Sequence, residues 1–152
     1  MWTTLTDNDV LSGMTQRERD DFAKTSTSEE VPDRLKPILE NLVAEIRGYV
    51  ATWSPNTLSA DTTKIPGSFK ARAIALARWR VLTSIPGYQP GDARKLEWEK
   101  AEDFLMAVAK GTIRPEPADD ATPTDVPSER PSGVEIVSSP GSRTGRTRMD
   151  GI

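Results

Sequence analysis

Apolar residues recur every three or four positions between residues 31 and 53, and that spacing predicts the longest helix of the chain. The stripe is Leu35, Ile38, Leu39, Leu42, Val43, Ile46, Tyr49, Val50 and Trp53. Pro32 suits a first turn, where its missing N–H costs nothing, and Asp33 favours the positive helix start. Pro37 is close enough to that start to be tolerated with a small bend. Ser54-Pro55-Asn56 ends the helix.

The next periodic stretch, SFKARAIALARWRVLTSI (68–85), lies between Pro66-Gly67 and Pro86-Gly87, with Ser68 as the expected N-cap. Ala71, Ile74, Ala75, Leu82 and Ile85 form one stripe; Phe69, Ala73, Leu76 and Trp79 lie beside it. So wide an apolar arc predicts a central helix covered on more than one side, with small residues that let neighbours approach. Arg72, Arg78 and Arg80 interrupt the arc and must reach solvent or a carboxylate. After a loop holding Tyr88, Asp92 starts a helix to about Lys110, with Leu96, Ala101, Phe104, Leu105 and Val108 facing inward. Gly111 is the expected left-handed residue that closes it.

Upstream, residues 1–30 read as a short extended start and two short helices. Thr6-Asp7 caps a turn through Val10 and Leu11 that Gly13 ends. Thr15 followed three residues later by Glu18 is a capping box, opening a helix to about Lys24 anchored by Phe22. Residues 25–30 are a polar linker. The expected fold is therefore all-α: a small bundle of one long, two medium and two short helices, spanning residues 1–111.

Residues 112–152 differ in character. Pro115, Pro117, Pro123, Pro127 and Pro131 stand among Asp, Glu, Ser and Thr, a composition that cannot build a core and predicts an extended or disordered arm. Within it, Val134, Glu135, Ile136 and Val137 form a short strand-like run, too short to make a sheet alone. Such a run suits addition to a partner's sheet edge, and spacing alone equally allows it to be unstructured. Arg143, Arg146 and Arg148 make the end basic. No core can bury them, so they are candidates for contact with an acidic partner, with a merely solvated end as the even alternative.

Composition narrows the chemistry. The 152 residues include no cysteine and no histidine, which excludes disulfides, thiol nucleophiles, Ser-His or Cys-His catalysis and the common zinc sites. No run of about 20 apolar residues is present, so no membrane span is expected. MWTTLTDNDV has neither the basic start nor the apolar centre of a signal peptide. A net charge of −3 argues against a dedicated duplex-DNA binder. Glu97, Glu99, Glu102 and Asp103 are interleaved with Arg94, Lys95 and Lys100, the pattern of a solvated, ion-paired helix face rather than a catalytic or metal site. Gly141 and Gly145 lack phosphate-loop spacing. Trp53, Trp79, Tyr49 and Tyr88 read as packing groups. Arg72, Arg78 and Arg80 are candidates to line a channel or contact phosphate, weighed against pairing with neighbouring carboxylates. No enzyme, metal or cofactor is expected.

In its order of elements the chain resembles the helical head–tail adaptor, or connector, family of tailed bacteriophages, in particular its Mu-like neck-protein branch. The resemblance is carried by TLTDNDV and a short helix pair, by LKPILENLVAEIRGYV, by KARAIALARWRVL after a Pro-containing loop, by DFLMAVAKGTI, and by VEIVSS before SRTGRTRMDGI. Two features depart from the family pattern: Gly145 stands where an aromatic sits between the terminal arginines, and the loop 54–66 lacks the family's aromatic-proline arrangement. The resemblance implies a structural protein of the virion neck, assembled in the host cytoplasm as a dodecameric ring beneath the portal. It implies the portal protein, neighbouring copies and a tail-side neck or terminator protein as partners. DNA would pass through the bore without sequence-specific binding. By the same implication Val134, Glu135, Ile136, Val137, Arg143, Arg146 and Arg148 bind the portal or an adjacent subunit, and Arg72, Arg78 and Arg80 are candidates for bore or inter-subunit contacts. The competing expectation is a small helical nucleic-acid-binding regulator.

Overall fold

A computed structural model of the chain describes residues 1–25 and 31–120, with residues 31 and 32 described by backbone alone. The described residues are mainly helical, with five helices and one small sheet: β1 (Trp2–Thr4), α1 (Asp7–Ser12), α2 (Gln16–Lys24), α3 (Val31–Thr52), β2 (Lys64–Pro66), α4 (Lys70–Thr83) and α5 (Asp92–Ala109). The lengths are those expected, one long helix, two medium and two short. The strand-like run 134–137 and the basic end lie outside the described residues.

Local chemistry sets the helix ends. Thr15 Oγ1 accepts from the Glu18 backbone N–H at 3.3 Å, and Glu18 Oε2 accepts from the Thr15 N–H at 2.7 Å, the reciprocal box expected from the sequence. Thr6 and Asp9 make the same arrangement at the start of α1. At the far end of α5, Gly111 adopts φ of +73°. Its N–H donates to Val108 O at 2.9 Å, and the Thr112 N–H donates to Ala107 O at 2.9 Å, so two orphan carbonyls are satisfied at one turn.

Helices α3, α4 and α5 pack on one another and form the core, with α1 and α2 laid against α3 and α4. Leu35, Leu42, Ile46 and Val50 of α3 are fully buried, as the period of three and four requires. Each such burial contributes about 1.5–3 kcal/mol, which offsets the entropy of ordering the helix. Pro37 sits in the second turn of α3, as expected.

Most positions expected to face inward in α4 and α5 do so, and Ala71 and Leu96 depart from the sequence reading. In α4 the buried line is Ala73, Leu76, Ala77, Val81 and Leu82, while Ala71 is exposed. The helix begins at Lys70 after a 3-10 turn, Gly67–Phe69, and Ser68 does not cap it. In α5, Ala101, Leu105 and Val108 are buried, but Leu96 is 50% exposed. Its place facing the bundle is taken by Trp98, which stacks on Trp79 with ring centroids 5.0 Å apart. Phe104 meets Phe69 edge to face at 4.9 Å.

One element has no counterpart in the sequence reading. β1 and β2 pair antiparallel, with Trp2 opposite Pro66, Thr3 opposite Ile65 and Thr4 opposite Lys64. The extended start is thereby tied to the loop before α4, with Trp2 and Ile65 in the core.

Candidate functional site

The chain continues along the body beyond Gly111, and residues 112–120 are held by side chains from four separate places. Glu116 accepts from Ser68 Oγ at 2.5 Å and from the Ser68 N–H at 3.2 Å, and its carboxylate lies 3.5 Å from the α-ammonium of Met1. Trp2 Nε1 donates to Glu116 O at 3.1 Å. Ala118 is buried, and its N–H donates to Thr57 Oγ1. Asp120 then accepts from Ser59 Oγ at 2.7 Å and from the Ala60 N–H at 3.1 Å. Proline-rich sequence thus lies on the body without forming a helix or strand, because side chains and loop amides satisfy its polar groups.

Both carboxyls titrate below their ordinary values. For Glu116 partial burial opposes ionisation, and the Ser68 donors with the Ser68 and Gly67 amides outweigh it. For Asp120 the Ser59 hydroxyl is the main cause. These two anions fix residues 112–120 on the body.

Arg47 of α3 braces the surface that receives the segment. Its guanidinium donates to the carbonyls of Ser59 at 2.8 Å, Lys64 at 2.9 Å and Asp61 at 3.0 Å, and its carbon lies 5.5 Å from the centroid of the Trp2 ring. The planar guanidinium fork serves all three carbonyls at once. The loop that holds Asp120 is therefore itself held by the long helix.

A groove of about 510 Å³ lies where α3, the β1–α1 junction and the loop before β2 meet. Leu5, Leu39 and Val43 form its apolar part; Asp7, Lys36 and Glu40 carry its charges. Among the described ion pairs none uses Asp7, Lys36 or Glu40.

The three candidate arginines of α4 are not brought to one place. Arg78 donates to Gly13 O at 2.7 Å and to Glu97 at 2.8 Å, joining the α1–α2 turn to α5. Burial and the neighbouring Arg94 charge lower its pKa against the pull of Glu97 and Glu18. Arg80 pairs with Glu45 of α3. Arg72 is exposed, with its guanidinium 5.7 Å from the Phe104 ring centroid. Val134, Glu135, Ile136, Val137, Arg143, Arg146 and Arg148 lie outside the described residues.

The acidic residues of α5 serve as ion-pair partners: Glu97 accepts from Arg78 and Arg94, and Glu99 lies near Lys95. Among the described residues no three metal-binding side chains come together. Sequence reasoning passed over Glu116, Asp120 and Arg47, since each acts on residues distant in sequence. Glu18 was visible as a capping residue, and its second role toward Arg94 was not.

No protein-family model matches the chain, and no curated protein or solved structure is similar to it.

Proposed function

We propose that the chain is a non-enzymatic structural adaptor that forms a homo-oligomeric ring at the head–tail junction of a tailed phage, between portal and tail-side neck protein, with DNA passing through its bore. The observation that carries this reading is the anchored segment 112–120. A small helical body holds residues 112–120 with Glu116 and Asp120, and 32 further residues, 121–152, follow with an apolar run and a basic end. A small helical body followed by a long proline-rich sequence suits a part whose work is to join other parts. The resemblance in element order supports the same assignment, with the arm reaching the portal or an adjacent copy through Val134–Val137 and Arg143, Arg146 and Arg148.

The body's own charges favour an adaptor over the regulator. Arg78, Arg80 and Arg94 are each engaged with a carboxylate of the same chain, and the net charge is −3. A helix that reads DNA needs its cations free for phosphate. The test is binding of short duplex DNA across a salt series. An adaptor leaves the duplex unbound at physiological salt, whereas affinity that falls steeply with rising salt would assign the chain to the regulator class.

A further inference from the structure

We infer that the groove between α3 and the β1–α1 junction is the receptor for residues 134–137 of a neighbouring copy of this chain. The inference rests on the ring proposed above and adds the contact that closes it.

The groove has the size of a ligand site, about 510 Å³. Leu5, Leu39 and Val43 supply an apolar floor. In an extended segment alternate side chains share a face, so Val134 and Ile136 would lie on that floor together. Glu135 would then face the rim, where Lys36 offers the opposite charge. The basic residues that follow, Arg143, Arg146 and Arg148, are complementary to Asp7 and Glu40, the two rim carboxylates without an ion pair among the described residues.

Reach allows a second copy, and the symmetry of a ring favours it. From Asp120 to Val134 the chain has 14 steps, a span of up to about 46 Å when extended, enough to leave one small body and enter the next. A donor segment and an acceptor groove at different places on one chain make a head-to-tail contact, and such contacts close into rings when the rotation allows. Closure makes weak individual contacts act together.

The chain has no cysteine, so a single engineered thiol can carry a spin label. The receptor is full-length protein with isotope-labelled methyl groups and Val134→Asp and Ile136→Asp, which disable its own arm. The donor is unlabelled full-length protein with a spin label on Ser138→Cys. On mixing, the Leu5, Leu39 and Val43 methyl signals should lose intensity while those of Leu105 and Val108 keep theirs. Adding Ala44→Arg to the receptor, an exposed position on the groove wall, should restore the signals without changing thermal unfolding.

Undiminished groove signals, or loss spread evenly over the body, would overturn the inference. Loss found only when spin label and isotope are in the same molecule would overturn it in favour of an arm folded onto its own body. Failure of this contact while the chain still forms a ring on the portal removes the inference alone. Groove broadening without portal binding keeps the inference and removes the adaptor assignment.

Discussion

Arg94 of α5 reaches back 76 positions to Glu18 of α2, donating to both carboxylate oxygens at 3.1 Å. The same Glu18 closes the capping box with Thr15, so one buried carboxylate both starts a helix and ties that helix to the last one. Burial opposes its charged form, and the donors of Arg94 and Thr15 outweigh burial, leaving its pKa below the usual 4.5.

Glu18→Gln should therefore destabilise the body by about 1–3 kcal/mol, because Arg94 loses an ionised partner and the cap weakens. Thermal unfolding at neutral pH measures it. A cycle with Arg94→Gln should show strong coupling between the two sites, since they share one contact.

The sign of the pH dependence follows. A carboxyl whose folded pKa is depressed contributes stability above its unfolded value, and that stability is lost as pH falls through the folded one. Glu18, Asp9, Glu116 and Asp120 are all lowered, and Asp61 is lowered to about 2 by the hydroxyl and amide of Thr63. The melting temperature should fall as pH drops below about 4.5, the ordinary glutamate value. Glu18→Gln should flatten that fall in a pH series of melting curves.

Gly111 is fixed by backbone and neighbour together. Its φ is +73°, and an added Cβ would lie 2.7 Å from Trp53 Cε3. Gly111→Ala should cost about 1–2 kcal/mol for the left-handed backbone alone, with the clash added. Trp53→Ala, itself destabilising, should relieve the clash but not the backbone cost, so the double variant loses less than the sum of the single losses. Denaturant midpoints of the four proteins decide this.

Glu116 and Asp120 hold residues 112–120 on the body. Glu116→Gln with Asp120→Asn should leave the helical core folded and expose residues 112–120 to proteolysis. Limited digestion read by mass spectrometry is the check: cuts within residues 112–120 should appear earlier in the variant than in the parent. The α3 brace predicts the opposite kind of defect. Arg47→Met should free three carbonyls and speed amide exchange through residues 59–64, while the interior of α5 stays protected.

How much of this was legible in the chain depends on range and contrast. The α3 stripe is apolar against a charged background, so its phase could be read. The Thr15–Glu18 box and Gly111 are local chemistry and were equally plain. In α4 small and apolar residues occupy most of the circumference, so period alone did not decide between Ala71 and Ala77. Leu96 was assigned inward on hydrophobicity, while the bundle takes Trp98 one half-turn later. β1 and β2 are three residues each and pair across 60 to 64 positions, leaving no periodic trace. Ser68 has the chemistry of an N-cap but spends its hydroxyl on Glu116, a partner 48 residues away that sequence spacing does not reveal.

The central claim is tested most directly by mixing the purified chain with portal rings and tail-side neck protein from the same genome, read by electron microscopy. Two chains are compared, the full length and one ending after Asp120, which keeps the Glu116 and Asp120 anchors. The account predicts that the full-length chain adds a ring of density beneath the portal and the shortened chain does not. Portal faces left bare by both chains would contradict the adaptor assignment, and a ring formed by both would contradict the role given to the arm.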